Sequence, residues 1–404
     1  MSEPFFNPLQ DDYCADPFPH LREMRNVSPV QQTLAGPWAL FAHRDVSALL
    51  RNPALSVDAT SVEPGEGSQA ALWVEIFGDE QPTPSTSILN IDPPDHTRLR
   101  RLVSKAFTPK AIEALRPMIQ TMVDQVLDKI ETQGGADVVD DLAFPLPFDV
   151  IIEMLGMPRG DTLAIRGWSE ALVKTLDPIV TEAEMRAAVV ASREMDRHID
   201  GVIEWKRQNL GDDLLTALLE AEDDGDRLSP IELRDQVGLL FVAGHETTVN
   251  LIGTGIYELL RNPEQLERWL DEPEIESTAI DELLRYISPV QFSRRITTSD
   301  ITIDECPIPA RSFVLACLAS ANRDPEFWGD TADQLDLGRD NAAQHVSFGS
   351  GVHYCLGASL AKMEAQVAIG SFIRRFPNAS LAADPTWNGR INLRGLAKLP
   401  VITK

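Results

Sequence analysis

The segment from Ser229 to Pro263 constrains the fold most, because it predicts a single helix long enough to cross a domain. Ser229-Pro-Ile-Glu232 is a capping box with proline at the first helical position, and Arg261-Asn-Pro263 ends the helical pattern. At 1.5 Å of rise per residue, the helix is roughly 48 Å long. Its middle, Leu239-Leu-Phe-Val-Ala243, is apolar on all sides. Such a helix must be buried among other elements.

A polar turn interrupts this apolar helix at Gly244-His-Glu246-Thr247-Thr248. Glycine weakens a helix, and a threonine hydroxyl can bond back to the carbonyl one turn earlier and bend it. Because a buried carboxylate is costly, we interpret Glu246 and Thr247 as functional residues. The structural alternative is a kink in which Glu246 forms a salt bridge.

A second feature is the loop from His345 to Leu360, in which Cys355 follows two glycines and precedes a helical pattern. The N-terminus of a helix favours thiolate over thiol, so Cys355 could be an anionic ligand. Two alternatives are a buried apolar cysteine and a zinc site with His345 and His353. The paired spacing typical of zinc sites is absent from this sequence.

The pattern Phe348-Gly-x-Gly-x-His353-x-Cys355-Leu-Gly357 resembles the haem-ligand loop of the cytochrome P450 superfamily. The resemblance implies one mainly helical domain over residues 1–404, with a small β portion. It also implies haem b (iron protoporphyrin IX), with Cys355 as the axial ligand of the iron and Phe348 and Gly357 in the cofactor loop. In this family the thiolate favours cleavage of the O–O bond.

The polar turn resembles the oxygen-activation motif of the same family, as Ala243-Gly-His-Glu246-Thr247-Thr. The resemblance implies that Ala243 borders the cofactor and that the widened turn admits dioxygen. The Thr247 hydroxyl would hydrogen-bond dioxygen, and Glu246 would supply protons from solvent. Many members have aspartate at the position of Glu246.

A predicted helix over residues 96–107 places His96 and Arg100 on the face that carries Leu99 and Val103. Two cations that face the interior need a buried anion, unless they snorkel or have other partners. The spacing resembles the His-x-x-x-Arg that binds the haem propionates. By the same resemblance, His353 and Arg295 join them, although Arg295 could also be an exposed strand charge.

Other residues complete the resemblance without carrying chemistry. Glu282 and Arg285 match the structural Glu-x-x-Arg, with Arg339 as their later partner. Thr108-Pro109 predicts a helix that runs to about Glu131, and Ile391 to Val401 predicts a closing hairpin with its tip near Leu396. The segment 58–90 predicts a loop that carries a short helix and lies either on the surface or against substrate. The side chains expected to face the substrate pocket are apolar or small: Leu240, Ala243, Val290, Phe292 and Leu396.

The net charge and the cysteine content limit the classes of binding partner and the compartment that the sequence favours. The net charge of −26 argues against binding of nucleic acid or anionic lipid. Four cysteines without a disulfide framework fit a reducing cytoplasm, and the N-terminus shows neither an export signal nor a membrane anchor. No flavin or Fe–S motif is present, so electrons from NAD(P)H would arrive through a ferredoxin-type donor and its reductase. An acidic donor could dock on Arg98, Arg101 and Lys105, unless these form only a solvated helix face.

The sequence therefore predicts a haem-thiolate monooxygenase that inserts one oxygen atom from O2 into a lipophilic small molecule. Hydroxylation of a steroid, terpenoid, fatty acid or polyketide is the expected reaction. A peroxide-driven peroxygenase and a haem-thiolate binding or sensor protein are the alternatives. Neither alternative needs the Glu246-Thr247 pair, so its presence favours the monooxygenase.

Overall fold

The computed structural model describes residues 5–404, except 11, 35, 63–68, 79–84, 106, 159, 161 and 224–225. The chain is mainly α-helical. The helices are α1 (Phe18–Val27), α2 (His43–Arg51), α3 (Gln69–Phe77), α4 (Asp95–Ser104), α5 (Pro109–Glu113), α6 (Arg116–Gln133), α7 (Pro145–Leu155), α8 (Thr162–Lys174), α9 (Glu182–Gln208), α10 (Leu214–Glu220), α11 (Pro230–Arg261), α12 (Pro263–Asp271), α13 (Glu276–Ile287), α14 (Leu318–Ala321), α15 (Pro325–Trp328) and α16 (Ala358–Arg375). Short 3-10 turns occur at Ala59–Ser61, Pro273–Ile275, Ala342–Gln344 and Gly351–His353, and a π turn at Val139–Ala143.

The strands are short and form five small sheets within the described residues. They are β1 (Val30–Gln32), β2 (Trp38–Leu40), β3 (Leu55–Ser56), β4 (Gly135–Asp137), β5 (Glu222–Asp223), β6 (Asp226–Arg227), β7 (Phe292–Thr297), β8 (Ile301–Ile303), β9 (Cys306–Ile308), β10 (Phe313–Cys317), β11 (Ser380–Leu381), β12 (Thr386–Trp387), β13 (Leu396–Lys398) and β14 (Pro400–Ile402). The largest sheet has the order β1-β2-β10-β7-β3. In it β10 pairs in parallel with β2 and antiparallel with β7, and Val314 lies opposite Arg295.

The central helix α11 begins and ends as its sequence predicts. Both reciprocal hydrogen bonds of the Ser229 and Glu232 capping box are present. The helix packs against α7, α9, α13 and α16 and lies in the largest cluster of buried apolar side chains. At Gly244 the approach to α7 is close, since a Cβ there would lie 3.2 Å from Cδ1 of Ile151.

Two predicted elements differ from the structure. The helix expected from Thr108 to Glu131 is divided into α5 and α6, which meet at Ala114 and Leu115. The closing hairpin is also wrong, because β13 pairs with β12 whereas β14 pairs with β11 and β4. Neighbouring strands of the chain therefore belong to different sheets. Local alternation of side chains cannot reveal which distant strand each one pairs with.

The loop predicted over residues 58–90 does contain a helix, α3. The glycines and prolines that suggested the loop, Gly65, Gly67, Pro82 and Pro84, lie outside the described residues.

Candidate active site

The cysteine loop is held by its glycines and by one backbone hydrogen bond. Gly349 and Gly351 have positive φ angles of 69° and 71°. A Cβ at Gly351 would also lie 2.7 Å from the Leu50 carbonyl oxygen, so both backbone angle and space require glycine there. The Cys355 N–H donates to the carbonyl of Phe348 at 2.9 Å and closes the loop. The half-buried Phe348 side chain packs against the main core.

Cys355 lies three residues before α16, as the sequence predicts, and its side chain is exposed. Burial of the surrounding region nevertheless raises the pKa of the Cys355 thiol, so its exposed surface faces an internal space rather than bulk water. Two groups oppose this effect and lower the pKa of Cys355. The Gly357 N–H donates a hydrogen bond to the sulfur, and the Arg100 guanidinium lies nearby. A bound metal cation would deprotonate such a thiol.

Four basic side chains converge near Cys355 within the described residues. The His96 and His353 rings lie 4.3 Å apart between centroids. Burial, together with the neighbouring His96 and Arg295, lowers the pKa of His353 to about 4. Burial also lowers the pKa of Arg100, which is opposed by the nearby Cys355. Basic groups are thus brought together in a place where the charged form of each is costly to bury.

Arg100 donates to the Tyr354 carbonyl at 2.6 Å and His353 bonds to the Ile88 backbone, but among the described residues His96 and Arg295 have no partner that would explain their burial. His96 is 1% exposed, and neither of its ring nitrogens has a hydrogen-bond partner. Arg295 is 5% exposed and donates to Ser293 Oγ at 3.1 Å and to the Arg294 carbonyl at 2.8 Å. No ion pair to Arg295 occurs among the described residues. The donor set therefore fits an anionic group with carboxylates and a metal that a thiolate binds, which is the chemistry of haem.

A zinc centre does not fit the same residues. His345 accepts the Ser347 N–H at 3.1 Å and lies 3.5 Å from the Asp281 carboxylate. Within the described part of the chain, no group of three or more His, Cys, Asp and Glu side chains could hold a metal ion.

In the polar turn of α11, both threonine hydroxyls bond back to a carbonyl one turn earlier, as the sequence allowed. The Thr247 hydroxyl donates to the Ala243 carbonyl at 3.1 Å, and the Thr248 hydroxyl to the Gly244 carbonyl at 3.2 Å. Ala243 is exposed although the helix around it is buried, so this turn borders an internal space. The two threonine bonds, of the kind that can bend a helix, therefore lie where α11 borders that space.

Glu246 is 6% exposed and is paired. Its Oε2 accepts a hydrogen bond from Nη1 of Arg390 at 2.6 Å, and its Oε1 lies 3.6 Å from Nε2 of His245. His245 is fully buried beside Phe144, Phe148 and Phe241, and this burial lowers its pKa. Arg390 is not among the functional residues that the sequence indicated. No local pattern marks a partner 144 positions away.

The predicted structural triad is present. Arg285 donates to both oxygens of Glu282 at 2.6 and 2.7 Å, and Arg339 Nε lies 3.1 and 3.2 Å from the same carboxylate. Glu282 and Arg285 are fully buried. The triad joins α13 to the segment that precedes the cysteine loop.

Other predicted positions differ in environment. Ala243 is exposed, and Leu240 and Val290 are half-buried, as pocket-lining side chains would be. Phe292 and Leu396 are 5% and 3% exposed, so the expectation that they face the pocket is wrong. Phe292 packs against Phe6 at 5.6 Å between ring centroids, in a separate aromatic cluster. Strand alternation indicated two faces of β7, but it could not show that the aromatic cluster around Phe6 covers Phe292.

The proposed basic face of α4 is partly neutralised. Arg98 forms an ion pair with Glu232 at the start of α11. Its charge therefore serves to fasten two helices together, because Glu232 both caps α11 and accepts from Arg98.

The sequence profile described as "Cytochrome P450" matches residues 68–276 and 274–385. The chain belongs to the cytochrome P450 family. It is 40% identical to "Cytochrome P450 107B1" of Saccharopolyspora erythraea, over 97% of this chain and 96% of that protein. It is 37% identical to the "6-deoxyerythronolide B hydroxylase" of the same organism, over 95% of this chain and 94% of that protein.

The solved structure of the Bacillus subtilis polyketide synthase cytochrome P450 PksS superimposes with a TM-score of 0.88 at 35% identity, over 99% of this chain and all of that one. The predicted fold and enzyme class are thereby confirmed: the chain is a cytochrome P450 monooxygenase, and its family implies a haem cofactor. None of the described helices combines the length and apolar composition needed to cross a bilayer.

Proposed function

We propose that this cytochrome P450 binds haem b through Cys355 and hydroxylates a lipophilic small molecule, with residues 1–404 acting as one domain. The observation that carries the proposal is the set of buried bases beside Cys355. His96, Arg100, Arg295 and His353 would hold the two propionates. Phe348 closes the loop by accepting the Cys355 N–H, and the Gly357 N–H donates to the Cys355 sulfur.

Bound haem supplies the redox chemistry that activates dioxygen, and the chain's own residues control protons and water around it. The Thr247 hydroxyl lies in the polar turn of α11. Ala243, one helical turn earlier, has a small and exposed side chain that leaves room beside it. Glu246 is a carboxylate held next to that turn. A positioned acid and alcohol can pass a proton from solvent to the reaction space.

For the substrate, we propose a polyketide macrolactone. The half-buried Leu240 and Val290 and the small Ala243 suit a large apolar ligand with few polar groups. Two of the similar proteins have names that refer to polyketide metabolism, namely the 6-deoxyerythronolide B hydroxylase and PksS.

For electrons, we propose a ferredoxin-type donor with an NAD(P)H-dependent reductase, in the cytoplasm. A surface cleft of about 730 Å³ lies beside the cysteine loop and is lined by Arg44, Arg51, Gly349 and Tyr354. Tyr354 is the residue next to Cys355. Arg51, which donates to Ser350 Oγ at 3.1 Å, would attract an acidic protein, whereas Arg44 is already paired with Asp304 at 2.8 Å. A donor seated in this cleft would lie close to the proposed iron ligand.

The substrate proposal is tested by titrating the purified ferric protein with four compounds while the haem absorbance is recorded. The compounds are 6-deoxyerythronolide B, testosterone, hexadecenoic acid and camphor. We expect the macrolactone to give the largest low-to-high-spin shift. A larger shift with testosterone would overturn the polyketide assignment, and no shift with any compound would contradict an open lipophilic pocket.

The ligand assignment is tested by Cys355→Ala, with Cys306→Ala as the control on a half-buried cysteine of β9. We expect only the first variant to lose the thiolate signature in the spectrum of the reduced carbon monoxide complex. If the Cys355 variant retained that signature, another residue would be the iron ligand.

The role of Thr247 is tested by Thr247→Ala, with Thr248→Ala as a matched control, since both hydroxyls bond back to a carbonyl four residues earlier. We expect several-fold less product per NAD(P)H oxidised, and more hydrogen peroxide, for Thr247→Ala alone. Unchanged coupling would argue against the role. Full turnover of that variant with peroxide alone would instead favour the peroxygenase.

A further inference from the structure

The C-terminal loop over residues 388–394 reaches the polar turn of α11 through the side chain of Arg390. Arg390 turns inward with 11% of its side chain exposed and donates to Glu246, whose side chain is 7% exposed. This ion pair is buried, so loss of the arginine would leave a carboxylate with no cation beside it. The other close polar group is His245, and burial favours its neutral form.

The same loop is fastened on two sides. On one side, the Gln291 N–H donates to the Asn392 carbonyl at 2.9 Å, and the Phe292 N–H to Asn392 Oδ1 at 2.9 Å. These bonds join the loop to the start of β7, which is part of the five-stranded sheet. That side is therefore anchored in a fixed element.

On its other side, the loop is held by the connection between α8 and α9, residues 175–181. Asp177 Oδ1 accepts the N–H groups of Ile391 at 3.1 Å and Asn392 at 2.7 Å. The Asn392 side chain donates to the Leu176 carbonyl at 3.1 Å. Backbone amides next to Arg390 thus depend on a carboxylate that belongs to another part of the chain.

Arg390 therefore lies between two carboxylates. It is bonded to Glu246, and its charge also acts on Asp177. Leu176 and Ile179 in the same connection are exposed apolar residues, 44% and 42% respectively, so this connection meets solvent directly. A displacement of the connection would remove the acceptor of the Ile391 and Asn392 amides and leave the loop held only on its other side.

We propose that Arg390 is a positioning residue for Glu246, and that Asp177 couples the α8–α9 connection to it. The proposal extends the role assigned above to Glu246 and Thr247. With Asp177 in place, Arg390 holds the Glu246 carboxylate turned toward the C-terminal loop. With Asp177 displaced, the loop loosens and Glu246 loses its fixed orientation.

The test compares Arg390→Gln, Arg390→Lys and Asp177→Ala with two controls, Lys398→Gln and Asp384→Ala. Both control residues are exposed charges in the same C-terminal segment. The first readout is hydrogen exchange of the haem-loaded proteins. We expect Asp177→Ala to speed exchange at the Ile391 and Asn392 amides at least tenfold, and the controls to leave it unchanged.

The second readout is hydrogen peroxide released per NAD(P)H oxidised, measured with whichever of the four titrated compounds shifts the wild-type spectrum most. We expect Arg390→Gln and Asp177→Ala to raise this ratio at least threefold, and Arg390→Lys to restore most of the loss because it keeps the charge. If Arg390 had only a structural role, Arg390→Lys would restore the coupling only as far as it restores the free energy of unfolding.

The outcomes separate the two proposals. If Thr247→Ala uncouples the reaction but Arg390→Gln does not, the inference about Arg390 is wrong and the proposed function stands. If neither variant uncouples it, the role of the Glu246-Thr247 pair fails. If Arg390→Gln does not fold, Asp177→Ala decides: faster exchange with unchanged coupling, or unchanged exchange, overturns the link.

Discussion

At the scale of single residues, Arg294 and Arg295 are neighbours that differ in exposed surface and in contacts. Arg295 is buried without an ionic partner among the described residues, whereas Arg294 has an exposed side chain whose guanidinium lies 5.6 Å from the Phe313 ring centroid, although burial of its surroundings lowers the pKa of Arg294 as it does that of Arg295. A hydrogen bond to a charged group is worth about 1.5–3 kcal/mol. We therefore expect Arg295→Ala to weaken haem binding roughly tenfold or more by that measure.

The measurement is a titration of the apoprotein with haem, in which Arg294→Ala provides the control. Equal losses in the two variants would mean that general positive charge, rather than a contact from Arg295, holds the cofactor. Family resemblance singled out Arg295 in the sequence, but only its burial distinguishes it physically from Arg294.

At the scale of elements, the triad of Glu282, Arg285 and Arg339 joins α13 to the chain before the cysteine loop. Removing one partner of a buried ion pair costs about 3–5 kcal/mol, whereas an exposed pair contributes about 1 kcal/mol or less. We expect Arg339→Ala to lower the free energy of unfolding by the larger amount. Arg268→Ala, which removes a partly exposed pair with Asp336 at 2.8 Å, should have the smaller effect.

Urea denaturation of both variants decides this comparison. A loss below 1 kcal/mol for Arg339→Ala would show that Arg285 alone compensates the Glu282 charge, in the range expected of a surface pair.

Helix capping, unlike the triad, depends on residues that are close together in the sequence. The ends of α11 and α9 depend on residues within one turn, so they could be predicted from Ser229 and Glu232 or from Thr181 and Glu184.

At the scale of the whole molecule, Glu364 makes stability depend on pH. It lies in α16 with 2% exposure, its Oε2 has no hydrogen-bond partner, and burial raises its pKa from 4.5 to about 8. Between these values the folded protein keeps the proton that the unfolded chain releases. Its stabilising contribution is therefore present below pH 4.5 and is lost as the pH rises to about 8.

We expect the Glu364→Gln variant to gain stability relative to the wild type by about 3 kcal/mol between pH 5 and pH 8, because glutamine does not ionise. The free energy of unfolding of both proteins at the two pH values measures this difference. Glu264→Gln, at an exposed position of α12, is the control. Parallel pH profiles for wild type and Glu364→Gln would show that the carboxyl is ionised in the folded protein.

Much of the site could be predicted because its parts are local. The cysteine loop is encoded by Gly349, Gly351 and Cys355 within seven positions, and His96 and Arg100 share a face through helical spacing. The substrate-facing expectations for Phe292 and Leu396 failed because their environment depends on which other elements cover them. Burial of that kind is a property of packing, not of periodicity.

The sequence by itself determined the central helix, the turn geometry of the cysteine loop and the family, since each is specified by residues within a few turns of one another. Only the tertiary structure decided that Glu246 pairs with Arg390 and that Asp177 holds the loop beside it. Those contacts join positions 144 and 214 residues apart. Their physical cause is the packing of α8, α11 and the C-terminal loop, which brings together charges that no local spacing connects.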